Sequence, residues 1–287
     1  MGACGKGGDV DDSGRDWSNT FVSSATGMQA YEDCLVRPLF EPWASMLLEE
    51  LEVVPGEALL DVATGPGTVA RRAAMRVGTT GTVTACDLSA AMLAIASAKR
   101  ALPGAAPIDY LQCPAAPLSV PTEAYDVVTC QQGLQFFPDR ARAVAEMARV
   151  VRTGGRVWAA IWGAIETCPP FAALEAAIRA VMGDAAADRY RGGPWGLADG
   201  ARVATLFENA GFRDVRVEQR RVPVTFEAGV EQLWRSLAAS GIATDIDALD
   251  GAQRRALQAA VTDQLSPLVR NGQVESETVS NIAIAVK

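Results

Sequence analysis

Short apolar runs alternating with helix-period stretches predict an α/β fold: a seven-stranded, mostly parallel sheet with helices on both faces, an antiparallel last strand and a helical cap. Two observations carry this. Apolar runs at 59–61, 82–86, 108–112, 125–130 and 156–162 are separated by segments of helical or loop character, the pattern of βαβ units. Two alternating segments, 214–226 and 278–286, follow and predict a final antiparallel pair. At 287 residues, 49% of them hydrophobic, the chain is long enough for one large domain with insertions.

Residues 1–16 are rich in Gly and Asp and are expected to be disordered. Residues 17–53 read as an N-terminal helical lid, because Tyr31, Leu35, Leu39, Phe40, Trp43, Leu47 and Leu51 recur at helical spacing. Pro38 and Pro42 are expected to break this segment into short helices. It serves either as a packing flap or as a cover over a pocket, with Trp17 and Tyr31 as the residues to face that pocket.

Residues 54–162 form the core of the prediction. The first strand ends at Asp61, and Gly65-Pro66-Gly67 then leads into a helix. Glycines supply positive φ angles and let a ligand approach the backbone. The second strand ends at Asp87, and Ser89 is a plausible N-cap for the next helix, 89–100. Met92 on that helix is either core or a contact for a flat ring. Asp139 opens a helix to about residue 152, and Thr153-Gly154-Gly155 turns the chain into the fifth strand.

The two acids decide the ligand more than the glycines do. Gly65-x-Gly67-x-x-Ala70 satisfies the loose dinucleotide fingerprint, which is weak alone. A carboxylate at Asp61 repels a pyrophosphate but favours a cation, and Asp87 stands where an acid accepts ribose hydroxyls. A nucleoside bearing a sulfonium and an ammonium group, S-adenosylmethionine, meets both conditions. The bland alternative is that both acids merely cap helices.

These residues resemble the first two motifs of class I S-adenosylmethionine-dependent methyltransferases, and the match extends over roughly residues 31–162. The family usually has Cys-Gly-Thr-Gly where this chain has Thr64-Gly65-Pro66-Gly67. The resemblance implies a Rossmann-like core and cofactor contacts from Tyr31, Asp61, Ala63, Gly65, Gly67, Asp87, Leu88, Met92, Cys130, Gln131 and Gln135. Where relatives often carry Asp-Ala for the adenine, this chain has Pro114-Ala115, so only the Ala115 backbone is suited to that contact. Where related enzymes often have Leu-His-His, this chain has Leu134-Gln135-Phe136. Gln135 orients a substrate but is no base.

Beyond residue 162 the resemblance thins. Segments 163–211 and 227–277 are expected to be helical cap insertions, with helices near 171–182, 202–211, 230–239 and 252–268 and an irregular loop at 184–197. Residues 212–226 and 278–287 supply the final strand pair. Trp162, Tyr190, Trp195 and Trp234 are candidates for a substrate pocket, each as readily assigned to core.

Composition excludes several classes. There is no histidine, so no His base, His metal ligand or Ser–His pair exists. The net charge is −8 and the pI about 4.8, which argues against a nucleic-acid partner or an anionic membrane surface. Six scattered cysteines without C-x-x-C suggest neither a metal site nor a disulfide framework. No signal-peptide core or membrane-length apolar run is evident, so a cytoplasmic location is expected. The expected activity is methyl transfer from S-adenosylmethionine to a small-molecule acceptor, as in quinone-biosynthesis and natural-product enzymes of the resembled group. One alternative is a protein of the same fold that binds the cofactor but catalyses a cyclisation. A nicotinamide dehydrogenase is weaker, since no Tyr-x-x-x-Lys pair is present. Glu166 is a weak candidate base.

Overall fold

The computed structural model describes residues 24–287, so Trp17 lies outside the described residues. The strands are β1 (Ala58–Val62), β2 (Thr82–Asp87), β3 (Ile108–Gln112), β4 (Tyr125–Gln131), β5 (Val151–Trp162), β6 (Arg213–Phe226), β7 (Val269–Arg270) and β8 (Gln273–Val286). Their order is β3-β2-β1-β4-β5-β8-β6, with the two-residue β7 paired to β8 as a small hairpin. The first five strands are parallel, and β8 runs antiparallel between β5 and β6. Strand order reverses between β1 and β4, which opens a crevice at their C-terminal ends.

Leu59 and Leu60 on neighbouring positions of β1 are both fully buried, as a strand covered on two faces requires. They enter separate cores. Leu59, Val127 and Trp158 face one core, shared with α2 (Glu41–Glu50) and α3 (Thr68–Val77). Leu60, Val128 and Val157 face the other, filled by Val144 and Met147 of α5 (Arg140–Val150) and Phe207 of α8 (Gly200–Asn209). The sheet is thus the middle of three layers. Helix α8 belongs to the layer of α5, which corrects its assignment to the cap: Val203 and Phe207 supply its apolar face.

The cap consists of α6 (Pro169–Met182), α7 (Asp184–Gly192), α9 (Gly229–Ser236), α10 (Ala243–Asp247) and α11 (Gly251–Leu265). Two of these differ from expectation. Residues 184–192 form a helix rather than a loop, with Asp184 in its first turn and Arg189 and Arg191 in its last, the arrangement a helix dipole favours. Helix α10 carries no strong sequence signal because it is one short turn packed through Ile246.

The N-terminal segment also corrects the expectation. Helix α1 (Ala25–Tyr31), a π-helical stretch (Glu32–Phe40) and α2 follow one another with helical backbone at both junctions. Pro38 sits inside the π stretch rather than ending the helix. A proline ring clashes with the carbonyl one α-turn back, and the wider π turn relieves that clash. Trp43 then anchors the segment, its Nε1 donating to Thr278 Oγ1 of β8 at 3.1 Å inside the core. Glu50 at the end of α2 accepts from Trp158 Nε1 at 3.2 Å and from Arg220 Nε at 3.0 Å.

Candidate functional site

The glycine loop is built by β1, α3 and the carboxylates of two strand ends. Asp61 is buried (1% exposed), and Thr64 and Thr129 donate to its two oxygens at 2.6 and 2.8 Å. Burial pushes its carboxyl up to about 6, against the lowering effect of those hydroxyls. Its charge therefore acts from beneath the loop, with both oxygens already engaged. Asp87, the last residue of β2, is half-buried. One of its oxygens accepts the Gly65 N–H at 2.8 Å and the other the Ser89 N–H at 2.8 Å. Burial raises its carboxyl above the ordinary value, opposed by the N–H groups of Ser89, Gly65 and Leu88.

The loop's conformation answers to its glycines. Gly65 has φ +54°, and the space a Cβ would occupy there is open. Gly67 has φ +82°, and a Cβ would come 3.1 Å from Ala96 of α4 (Ala90–Ala98), so its absence lets two helices approach. Ala63 adopts φ +57°, a left-handed strain that clusters at functional loops. A flat, hydroxyl-bearing nucleoside fits this combination of open backbone and a carboxylate with spare lone pairs. Asp87, Gly65 and the Asp61 charge would hold it there.

The other proposed contacts fall into distinct environments. Tyr31 stacks on Phe40 with centroids 4.8 Å apart, and burial, then the charges of Asp87 and Glu32, hold its phenol far above the usual value. Tyr31 of the lid and Asp87 at the end of β2 are therefore neighbours. Leu88 is 58% exposed beside Asp87, whereas Met92 is buried in the core below. Pro114 is exposed and Ala115 half-buried just beyond β3. The Cys130 side chain is fully buried and its thiol pushed up by burial to about 12, so only its backbone is available to a ligand. Gln131 donates from Nε2 to the Phe40 carbonyl at 3.0 Å, tying the lid to the end of β4. Gln135 is buried, with Nε2 on the Gln132 carbonyl at 3.0 Å.

Of the aromatic candidates, Trp162 packs edge-on to Trp43 and lies 6.1 Å from Phe40. Tyr190 and Trp195 form a second group with Phe171, at centroid separations of 5.6 Å. Phe136, one residue past Gln135, lies 3.5 Å from where a Cβ on Gly193 would stand, so it links the loop after β4 to the Trp195 segment. Trp234 is not part of this assembly. It lines a separate cavity of about 530 Å³ between α1 and α10, with Ala25, Asp33 and Ile246. Glu166 is also corrected as a base: its own backbone N–H and Arg191, 2.6 Å away, hold its carboxyl below the ordinary value.

Sequence reasoning missed Thr64 and Thr129, whose hydroxyls fix Asp61, and Gln132, which has φ +55° and donates to Ser280 Oγ at 2.8 Å. It also missed a latch. Lys99 donates to the Pro66 carbonyl of the glycine loop at 2.9 Å and pairs with Glu32 of the lid at 2.7 Å. The prediction is that Lys99→Met weakens S-adenosylhomocysteine binding about fivefold, the worth of roughly 1 kcal/mol for a partly exposed pair. Calorimetry checks the affinity, and hydrogen exchange should rise over residues 25–40; unchanged exchange there would refute the latch.

A parallel sheet with this strand order, a glycine loop after β1 and acids ending β1 and β2 define a class I S-adenosylmethionine-dependent methyltransferase. Residues 17–226 match the ubiE/COQ5 methyltransferase family, and the chain belongs to it. The ubiquinone/menaquinone biosynthesis C-methyltransferase UbiE of Xanthomonas campestris pv. campestris is 33% identical over 137 residues, 47% of this chain and 54% of that relative. The chain thus spans about half the length of the curated relatives it matches. Phosphoethanolamine N-methyltransferase 2 of Haemonchus contortus has a TM-score of 0.60 at 19% identity, covering 95% of this chain and 59% of that one. The cyclase SpnF has a TM-score of 0.54 at 22% identity, covering 86% and 81%. Both similarities concern the fold alone, which by itself does not select a reaction. Among the described residues no helix is long and apolar enough to cross a membrane.

Proposed function

We propose that this protein transfers a methyl group from S-adenosylmethionine to a carbon atom of a small quinone-type aromatic acceptor. The observation that carries the reading is the Asp87 carboxylate bound to the Gly65 N–H at 2.8 Å beside open space over that glycine. Membership of the ubiE/COQ5 family and the names of the curated relatives support the choice of a quinone-type acceptor.

S-adenosylmethionine, when bound, supplies an electrophilic methyl on a sulfonium. The chain's part is to bind and align. In this reading Asp87 accepts ribose hydroxyls with the lone pairs that the Gly65 and Ser89 N–H groups leave free, while Asp61 provides negative charge under the loop. The lid, through Tyr31 and Phe40, keeps water from the crevice, and Gln131 ties it down. Alignment of a nucleophile behind the methyl group is worth several kcal/mol as pre-organised proximity. The loop after β4 presents amides where a base would stand, and the chain has no histidine. That suits a carbon nucleophile activated by its own ring hydroxyl better than a weakly acidic hydroxyl that must first be deprotonated. A reducing, cytoplasmic setting is consistent with five described cysteines that are all free and buried.

The test is incubation with methyl-labelled S-adenosylmethionine and 1,4-dihydroxynaphthalene. The expected product carries the label on a ring carbon, with one S-adenosylhomocysteine formed per methyl. Label on oxygen would overturn the carbon assignment. Absence of transfer across a panel of hydroxylated aromatics, with the cofactor still bound, would favour the non-transferring alternative.

A further inference from the structure

The cavity beside Trp234 has the size and lining of a ligand site. At about 530 Å³ it falls within the range of small-molecule pockets. Residues of α1, α9, α10 and α11 contribute to its walls, so it lies at the seam between the lid and the cap. Trp234, Leu237, Ile246 and Ala30 form its apolar side. Leu237, Ile246 and Ala30 are buried, and Trp234 is half-buried where it packs on the core. An indole offers a broad, flat apolar surface, which suits a flat ring.

Two guanidinium groups line the same cavity, and neither is fully matched. Arg235 has the Asp33 carboxylate 3.8 Å away, beyond hydrogen-bond reach, and the other Asp33 oxygen already accepts from Gln29 Nε2 at 2.8 Å. Arg254 donates to the Ile246 carbonyl at 2.7 Å, but its carboxylate neighbour, Asp247, stands 3.9 Å away. The Asp247 side chain is 83% exposed, so water screens its charge. Elsewhere in the protein arginines hold carboxylates closely: Arg149 and Arg156 at 2.8 Å, Arg191 at 2.6 Å. A guanidinium carries five N–H donors in a planar fork that fits a carboxylate. Arg235 lies in the last turn of α9, where a helix dipole favours a cation. That reading does not extend to Arg254, which lies near the start of α11.

We propose that this cavity is a second ligand site, which takes a planar aromatic carboxylate, with its ring on the Trp234 side and its charge on Arg235 and Arg254, and that its occupancy holds the lid to the cap. The coupling follows from the chain's path. Gln29 and Ala30 line the cavity, and the same helical run continues to Glu32. Glu32 pairs with Lys99 at 2.7 Å, and Lys99 donates to the Pro66 carbonyl of the glycine loop at 2.9 Å. A ligand bridging α1 to α9 and α11 therefore steadies the segment that latches onto the glycine loop. Coupling between two sites is reciprocal, so a nucleoside in the crevice strengthens binding in the cavity by the same factor. The coupling rests on the S-adenosylmethionine reading of the crevice; the site itself does not.

The experiment titrates 2-naphthoate and its uncharged analogue 2-naphthamide into the full chain by calorimetry, with and without S-adenosylhomocysteine. The proteins are the wild type, Arg235→Gln, Arg254→Gln and Trp234→Leu. The wild type should prefer the carboxylate by about tenfold or more, the gain expected of charge-assisted hydrogen bonds. Each glutamine variant should lose most of that preference while still binding the amide, and Trp234→Leu should weaken both ligands. Unchanged S-adenosylhomocysteine affinity without naphthoate shows that a variant is folded. Should Trp234→Leu fail that control, the two exposed arginines carry the test. Saturating naphthoate should tighten S-adenosylhomocysteine about threefold in the wild type and lower hydrogen exchange over residues 25–33. No naphthoate binding, an undiminished preference in folded arginine variants, or displacement of naphthoate by 1,4-dihydroxynaphthalene would overturn the site. Naphthoate binding with an unchanged S-adenosylhomocysteine affinity would overturn the coupling. No S-adenosylhomocysteine binding at all would instead sink the reading of the crevice, and the coupling with it, while a naphthoate preference measured alone would still uphold the site.

Discussion

Asp87→Ala is expected to weaken S-adenosylhomocysteine binding by about a hundredfold. A hydrogen bond to a charged group is worth about 1.5–3 kcal/mol, and this carboxylate has lone pairs for two ribose hydroxyls. The same substitution removes the acceptor of the Gly65 N–H, so the glycine loop loses its tether as well. Asp87→Asn separates the two effects. An amide keeps one acceptor oxygen for Gly65 but gives up the charge, so its loss should be intermediate. Titration calorimetry measures both, with thermal melting of the ligand-free proteins as the control for folding. An alanine variant that binds within threefold of the wild type would remove the carboxylate from the site.

The second large effect is a pH dependence centred on Asp61. Its folded-state carboxyl lies at about 6, while an unfolded aspartate titrates near its ordinary value of about 3.9. The folded protein thus holds this proton at pH values where the unfolded chain has released it. Stability contributed by the group is complete below about pH 4 and is lost as pH rises through about 6. The gap corresponds to about 3 kcal/mol. Relative to Asp61→Asn, which has no such proton, the wild type should lose about that amount between pH 4 and pH 7 in urea melts. The hydroxyls of Thr64 and Thr129 can rotate to serve the amide, so the comparison is a fair one. A difference that is flat with pH would mean that Asp61 is solvated rather than desolvated. A cationic ligand should pull the carboxyl back down. S-adenosylmethionine is therefore expected to bind more tightly as pH rises from 5 to 7, and uncharged-sulfur S-adenosylhomocysteine less so.

Local pattern was sufficient for the parallel core. The run Leu59-Leu60-Asp61, the positive-φ glycines and the Ser89 and Asp139 caps are each readable within a few residues, and β1 to β4 and α3 to α5 appear where those signals put them. Pro38 misled because its effect depends on the turn around it, and the π-helical stretch is stabilised by a lid packed through Leu39, Phe40 and Trp43. Residues 184–192 misled because their polar residues and the glycines that close and follow them, Gly192 and Gly193, read as loop, while the pairing of Arg191 with Glu175 of α6 at 2.8 Å supports a helix.

What the sequence determined by itself is the strand–glycine–helix unit, the two acids at strand ends and the lack of any imidazole, all short-range or compositional properties. Only the folded chain decided which side chains share a space. It sent Trp234 to a cavity apart from the crevice, buried Cys130 and turned Gln131, Gln132 and Gln135 inward with unmatched oxygens. It also set Lys99 between the lid and the glycine loop. The reason is physical. Secondary structure follows from periodicity and backbone preference over a few residues, whereas burial and hydrogen-bond partnership depend on segments far apart in the chain, such as Gln132 and Ser280.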